Sequence, residues 1–346
     1  MVGVFAVTAL LPMGDARLPP APVEGQRFWE LPTGSRIAYV RVPTEEDTRS
    51  TPVIFLHGGP GVPDMRGDSG YFGSLAEDGF DVYVYDEVGS GCSSRLADPR
   101  EYTLERDVAD LEAVREEIGA ERLFLIGHSY GGTLAAAYAA SHPGRVSKIV
   151  LSSPGDPSPS AAGSSMLFRL STKGKLGVYG LLLPPRPMLA YALLQVNPEA
   201  AHAFVPDAET DARFDRVYDR TRPALHCCRD KPPGPALHGL GFYANQYPQS
   251  AARSPRPDFL TDLAGRRIPA LVIKGRCDYL SWSSATKYLR TLPDARLVYL
   301  RGAGHNAYQD EPGRYKASVR AFLLGRSPPE RPYAGSGPPQ GYEGPR

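Results

Sequence analysis

The chain has 346 residues, 42% of them hydrophobic and 22% charged, with a formal net charge of +1. That length buries a substantial core and exceeds a typical single domain, which suits one sheet domain carrying an insertion. The balanced global charge gives no electrostatic reason to expect nucleic acid or an anionic membrane as a partner. Four cysteines, Cys92, Cys227, Cys228 and Cys277, show neither C-x-x-C nor metal-ligand spacing, so inert thiols and no metal site are expected.

Residues 1–24 read as a partly disordered N-terminal segment. Val2 to Leu11 is apolar but only about half as long as a membrane span. It also lacks the preceding basic residues of a signal peptide. Cytoplasm is the expected compartment, a secreted or membrane-anchored form the alternative, and any membrane association is expected only through this segment. Arg27 to Glu30 and Arg36 to Val42 alternate apolar and polar residues across a Pro-Thr-Gly turn, which predicts an edge hairpin. Strands predicted at Val53, Val82, Leu123, Lys148, Ala270 and Leu297 alternate with helices and call for a mostly parallel sheet covered on both faces. Leu104, Val108, Leu111, Val114 and Ile118 recur at helical spacing.

The chemistry sits where predicted strands end. After the first parallel strand comes His57-Gly58-Gly59-Pro60-Gly61, whose glycines let backbone approach a ligand closely. Leu125-Ile126-Gly127-His128-Ser129-Tyr130-Gly131-Gly132 places a serine between glycines at a strand-to-helix turn, a nucleophile elbow. Serine is a weak nucleophile and needs a histidine base oriented by a carboxylate. Asp278 follows the strand IPALVIK in Gly275-Arg276-Cys277-Asp278, and His305 follows RLVYL in Gly302-Ala303-Gly304-His305-Asn306. His57 precedes the nucleophile in the chain, His128 should point away from it, and His142 ends a helix. His202, His226 and His238 fall far from strand ends, and Asp294 and Asp310 rival Asp278 only weakly. Oxyanion donors are assigned to the amides of Gly59 and Tyr130.

Between residues 152 and 262 the strand–helix alternation stops, which predicts a mainly helical cap inserted into a core of residues 25–151 and 263–324. Phe168, Tyr179, Tyr191, Phe204, Phe242, Tyr243 and Tyr247 are its pocket candidates. The acidic run Asp207 to Asp219 reads as a solvated helix face. Residues 325–346, rich in proline and glycine, read as a disordered tail.

HGGPG, GHSYGG, GRCD and GAGHN together resemble the α/β-hydrolase superfamily, and HGGPG is most similar to the proline iminopeptidase family. The resemblance covers Gly25 to Leu324 and implies the α/β-hydrolase fold and a serine hydrolase without metal or organic cofactor. Its substrate would be a small molecule or short peptide. Two departures bear on substrate. The family's Asp-Gln-Arg-Gly segment is here Asp86-Glu87-Val88-Gly89, and its amine-clamping Glu-Asn-His-Tyr segment is nearest to Tyr243-Ala244-Asn245-Gln246-Tyr247, without the glutamate. A buried ammonium without a negative partner costs several kcal/mol, so neutral substrates gain ground. Glu87, Glu199 and Glu209 are possible replacements, and Glu87, Tyr243 and Tyr247 are the proposed substrate contacts. The expected activity is amide, peptide or ester cleavage through an acyl-enzyme. The alternatives are an esterase or lactonase, an acyl-transferring cyclase, and a ligand-binding protein on the same scaffold.

Overall fold

The computed structural model describes residues 9–14, 20–45, 49–157, 166–228, 234–251, 253, 258–335 and 337–345. Eight strands form one sheet in the order β1-β2-β4-β3-β5-β6-β7-β8. They are β1 (Arg27–Glu30), β2 (Arg36–Val42), β3 (Val53–Leu56), β4 (Val82–Tyr85), β5 (Leu123–His128), β6 (Val146–Ser152), β7 (Ala270–Gly275) and β8 (Ala295–Leu300). β2 runs antiparallel to β1 and β4, and every other pairing is parallel. β3, β4 and β7 are buried along their whole length, as strands covered on both faces must be.

The two faces carry separate cores. One packs Leu111, Val114, Leu134, Tyr138 and Tyr288 against Ile54, Leu125 and Leu151. The other packs Phe72, Tyr308, Tyr315 and Val319 against Phe55, Val84 and Ile273. The helix Leu104–Ile118 starts where the Thr103 side chain accepts from the Arg106 amide and stops at Gly119, whose φ of 72° lets its amide donate to the Arg115 and Glu116 carbonyls. Parallel strands deliver all their carboxyl ends to one edge, and there the loops after β3, β5, β7 and β8 converge.

A roof of helices, Thr172–Leu182, Pro185–Val196, Pro198–Phe204, Asp207–Thr221 and Phe242–Gln246, lies in the chain between β6 and β7. The acidic helix Asp207–Thr221 corrects the reading of a solvated face. Glu209, Asp211 and Asp215 are buried. Glu209 takes Arg186 in a two-pronged pair (2.6 and 2.9 Å), and Asp211 takes two nitrogens of Arg95 from the core (3.0 and 2.9 Å). Asp215 accepts the amides of Gly239 and Leu240. These carboxylates fasten the roof, because paired, hydrogen-bonded charges are the form in which burial is tolerated.

Two further expectations are overturned. Cys227 and Cys277 form a disulfide that ties the roof to the loop carrying Asp278, while Cys92 and Cys228 are free thiols. The described tail residues 325–335 and 337–345 pack instead of dangling. Tyr333 and Tyr342 meet the Trp282 ring, the Tyr342 hydroxyl donates to the Leu280 carbonyl, and Trp282 N donates to Pro345 O. Proline and glycine deprived the tail of helix and strand, but its tyrosines supply enough apolar surface to anchor it.

Candidate active site

The elbow follows from sterics. Ser129 sits at φ 53°, ψ −114°, a strained conformation forced by the reversal from β5 into the helix Tyr130–Ser141. A Cβ on Gly127 would lie 2.1 Å from the Gly131 carbonyl oxygen, and one on Gly131 would lie 2.1 Å from that of Leu56. Only glycine fits either place. Ser129 opens into a cavity of about 770 Å³ shared with Gly58, Gly59, Tyr130, His128, Tyr279 and His305.

His305 Nδ1 donates to Asp278 Oδ1 at 2.8 Å, and both side chains are almost wholly buried. The pair is held from three directions. The His305 amide donates to the Leu225 carbonyl of the roof, the Leu280 amide donates to Asp278 Oδ1, and Lys274 Nζ lies 2.7 Å from Asp278 Oδ2. The lysine also donates to Leu280 O and Ser284 Oγ, so its three N–H groups serve the carboxylate and these two oxygens. Burial by itself raises the Asp278 carboxyl, but the charges of Lys274 and His305 outweigh it and hold the group well below the usual carboxylate range. Burial lowers the Lys274 ammonium.

Among the described residues no hydrogen bond joins Ser129 to His305. Both instead meet Tyr279: its ring lies 4.5 Å from the imidazole, and its phenol is within hydrogen-bonding range of the Ser129 hydroxyl. Burial raises this phenol, so it stays protonated. Such bonds between nucleophile and base are often loose until substrate arrives. On the other side His128 packs 4.8 Å from His305, and its Nε2 meets Asn306 Oδ1 at 3.2 Å. His128 therefore lines the site, against the expectation that it points away; burial and the neighbouring His305 lower it to about 3, leaving it neutral.

The glycine turn His57–Gly61 is braced from behind. Gly59 has φ 123°, and a Cβ there would come within 2.8 Å of the Gly61 nitrogen. His57 is neutral, pushed down by burial to about 4; its Nδ1 donates to Gly58 O, and its Nε2 accepts the Glu87 amide. Glu87 takes the Gly61 amide at 3.4 Å and lies outside the cavity lining. Burial, then Asp107, raises its carboxyl well above the normal range. From the roof, Asn245 Nδ2 donates to Pro60 O at 2.7 Å and the Gly241 amide donates to Gly61 O at 2.8 Å.

The three expected substrate contacts, and the two other acids offered as replacements for the amine clamp, thus lie away from the cavity. Glu87 supports the turn. Tyr243 turns its hydroxyl to the Ala201 and Val205 carbonyls, and Tyr247 is buried outside the cavity lining. Glu199 pairs with Arg100 and Glu209 with Arg186. The carboxylates that line the cavity are Asp64, Asp68 and Asp156, none of them anticipated. Asp156 pairs with Lys287, Asp64 caps its helix by accepting the Gly67 amide, and Asp68 accepts the Tyr308 hydroxyl. Burial raises Asp68 well above the usual carboxylate range. The roof adds Met166, Leu167, Val178, Leu182, Phe214 and Val217 together with Arg222, Asn245, Gln246, Gln249 and Arg253, so apolar and polar groups share the wall. Of the aromatic candidates only Tyr191 lines the cavity; Phe168 and Tyr179 face solvent. The rival acid Asp310 serves a second histidine, His226, at 2.7 Å and accepts the amides of Gly304 and Cys227, fixing the His305 loop.

Lys274 had a signal in the sequence: one lysine in an otherwise apolar strand, four residues before an aspartate, must find a negative partner. Tyr279 had none.

Comparisons with known proteins agree with this fold. Residues 51–172 match the family model described as the alpha/beta hydrolase fold. A proline iminopeptidase from Lactobacillus delbrueckii subsp. bulgaricus is 27% identical over 319 residues, covering 85% of this chain and 96% of its own. A (lyso)-N-acylphosphatidylethanolamine lipase from Homo sapiens is 28% identical, covering 85% and 84%. The solved structure of a proline iminopeptidase from Mycobacterium smegmatis superimposes with a TM-score of 0.56 at 22% identity, over 87% of this chain and 98% of that one.

Proposed function

We propose that this α/β hydrolase, proline iminopeptidase-like in sequence, cleaves an ester or amide through an acyl-enzyme formed on Ser129, with residues 152–262 as the cap over a core of 25–151 and 263–324. The observation that carries the reading is an elbow serine and an Asp278-oriented His305 lining one cavity.

His305 takes the proton from Ser129 as the oxygen attacks the carbonyl carbon, and Asp278 holds the imidazole with Nδ1–H toward itself and stabilises the cation. The Gly59 and Tyr130 amides receive the developing oxyanion. His305 returns its proton to the leaving amine or alcohol, and water then attacks the acyl carbonyl along the same route. Substrate binding displaces the Ser129 hydroxyl from Tyr279 toward His305.

The wall favours a neutral acyl substrate. The aliphatic roof side chains suit a hydrocarbon chain, burial disfavours the charged form of Asp68, and Asp156 already has Lys287. Asp64 supports a second reading, an aminopeptidase, because its carboxylate lines the cavity and could face a substrate amine. A panel of p-nitrophenyl esters of rising chain length set against prolyl p-nitroanilide separates the two. Ester turnover that increases with chain length supports the first reading; exclusive turnover of the prolyl anilide overturns it. Ser129→Ala lowers kcat for every substrate by about 10⁴ or more.

A further inference from the structure

We propose that the outer face of the helical roof is a docking surface for an anionic membrane and that the substrate is an acyl amphiphile drawn from it. On the helix Thr172–Leu182 and its end, Leu176 (66% exposed), Tyr179, Leu182 and Leu183 (60%) recur at helical spacing and face solvent. The next helix, Pro185–Val196, adds Met188, Tyr191 and Val196 (77%). A surface helix of a globular protein normally turns its apolar stripe to the core. Here two consecutive helices turn theirs outward, and a contiguous exposed apolar surface marks an interaction site.

Charge selects the occupant. From Pro157 to Pro198 the sequence carries no aspartate or glutamate, although 38 acids in 346 residues would place between four and five in such a run. The same run carries Arg169, Lys173, Lys175 and Arg186. The two arginines are buried and hold the roof together, but Lys173 is exposed and Lys175 half-buried at the base of the apolar stripe. An apolar surface on an acid-free segment edged by lysines matches an anionic lipid interface, in which aliphatic side chains sink below the headgroups and ammonium groups stay among them. The global charge of +1 conceals this local excess.

Two more observations place the cavity and the N-terminal segment at this face. Leu182 and Tyr191 are both exposed and cavity-lining, so the apolar surface runs without a break to the Ser129 chamber. Leu10 and Leu11, also exposed, are pinned beside the start of the second helix: Arg186 Nη1 donates to Ala9 O, and the Met13 amide donates to Glu209 Oε1. Among the described residues no helix is long and apolar enough to cross a membrane. The substrate class rests on the acyl-hydrolase reading; the docking itself does not.

Co-sedimentation of the full chain with phosphatidylcholine vesicles, with and without phosphatidylglycerol, tests it. Binding is expected only to the anionic vesicles. The combined variant Leu176→Glu, Tyr179→Glu, Leu183→Glu weakens it by about a hundredfold or more. Lys173→Glu with Lys175→Glu weakens it by more than about tenfold, at roughly fivefold for each lysine removed. Both variants hydrolyse a soluble short-chain ester at the native rate but lose at least about tenfold on a long-chain ester presented in anionic vesicles. Ser129→Ala binds vesicles as the native protein does, so a failure of the hydrolase reading leaves the binding arm intact. Native protein that stays in the supernatant with every vesicle overturns the proposal. So does dimerisation by light scattering that the triple variant abolishes while vesicle binding is nil, an outcome that assigns the face to a second copy of this chain.

Discussion

The loop edge of the sheet and the outer face of the roof treat solvent in opposite ways. At the loop edge Ser129, Asp278 and His305 are buried, and Asp278 is surrounded by His305, Lys274 and the Leu280 amide. On the roof, leucines, tyrosines and a valine stand in water. Strain is concentrated in the first region: Ser129 and Gly59 hold backbone conformations that packing alone maintains. The roof's inner side is as firmly built as the loop edge, through Arg186–Glu209 and Arg95–Asp211. The lesson is that preorganisation belongs to the chemistry, whereas the outer roof is left open for whatever it meets.

The sharpest way to break the loop edge is Lys274→Met. Removing one partner of a buried charge pair costs about 3–5 kcal/mol. Asp278 has a depressed pKa, so its contribution to stability is present above the ordinary carboxylate range and is lost as pH falls toward its folded value. The variant's deficit in chemical denaturation is therefore largest at neutral pH and shrinks in acid. Its Asp278 titrates higher, so the acid limb of kcat/KM moves to higher pH. A deficit that does not vary with pH would assign Lys274 to packing alone.

Gly59→Ala comes next. The new methyl collides with the Gly61 and Val62 amides, and the displaced turn lowers kcat by about 10²–10³, read with a short-chain ester at saturation.

Asp86→Asn reverses the sign. Burial raises Asp86 to about 7, and its Oδ1 has no hydrogen-bond partner. A raised carboxyl makes the fold lose stability as pH climbs from the unfolded value toward 7. The variant is expected to be more stable than native by up to about 3 kcal/mol at pH 8, with the gap narrowing toward pH 5 in paired melts.

Smallest is Tyr342→Phe, which removes the tail's bond to Leu280 O and costs about 1 kcal/mol. Because Leu280 N also holds Asp278, a fall in kcat without a change in KM would extend the rigid region into the tail. An unchanged kcat would confine that region to the loops.

Much of the loop edge was legible in the chain because its constraints are local. Gly127 and Gly131 must be small whatever else surrounds them, and strands that alternate with helices must end on one edge, so Ser129, Asp278 and His305 are placed by order alone. The roof was not legible in this way. Whether Glu209, Asp211 and Asp215 face water or arginine depends on which helix lies opposite, and Tyr243 and Tyr247 were assigned to substrate by composition although packing sends them elsewhere.

By itself, the sequence determined the sheet's alternation, the elbow and the strand ends that carry Ser129, Asp278 and His305, since steric and periodic rules act between neighbours. The tertiary structure alone decided that Cys227 meets Cys277, that Lys274 and Tyr279 join the Asp278–His305 pair, that Glu87 stands behind the oxyanion turn, and that a tail of proline, glycine and tyrosine clasps the acid loop. Those contacts join segments tens to hundreds of residues apart, and the burial that makes them favourable exists only once the whole chain has closed around them.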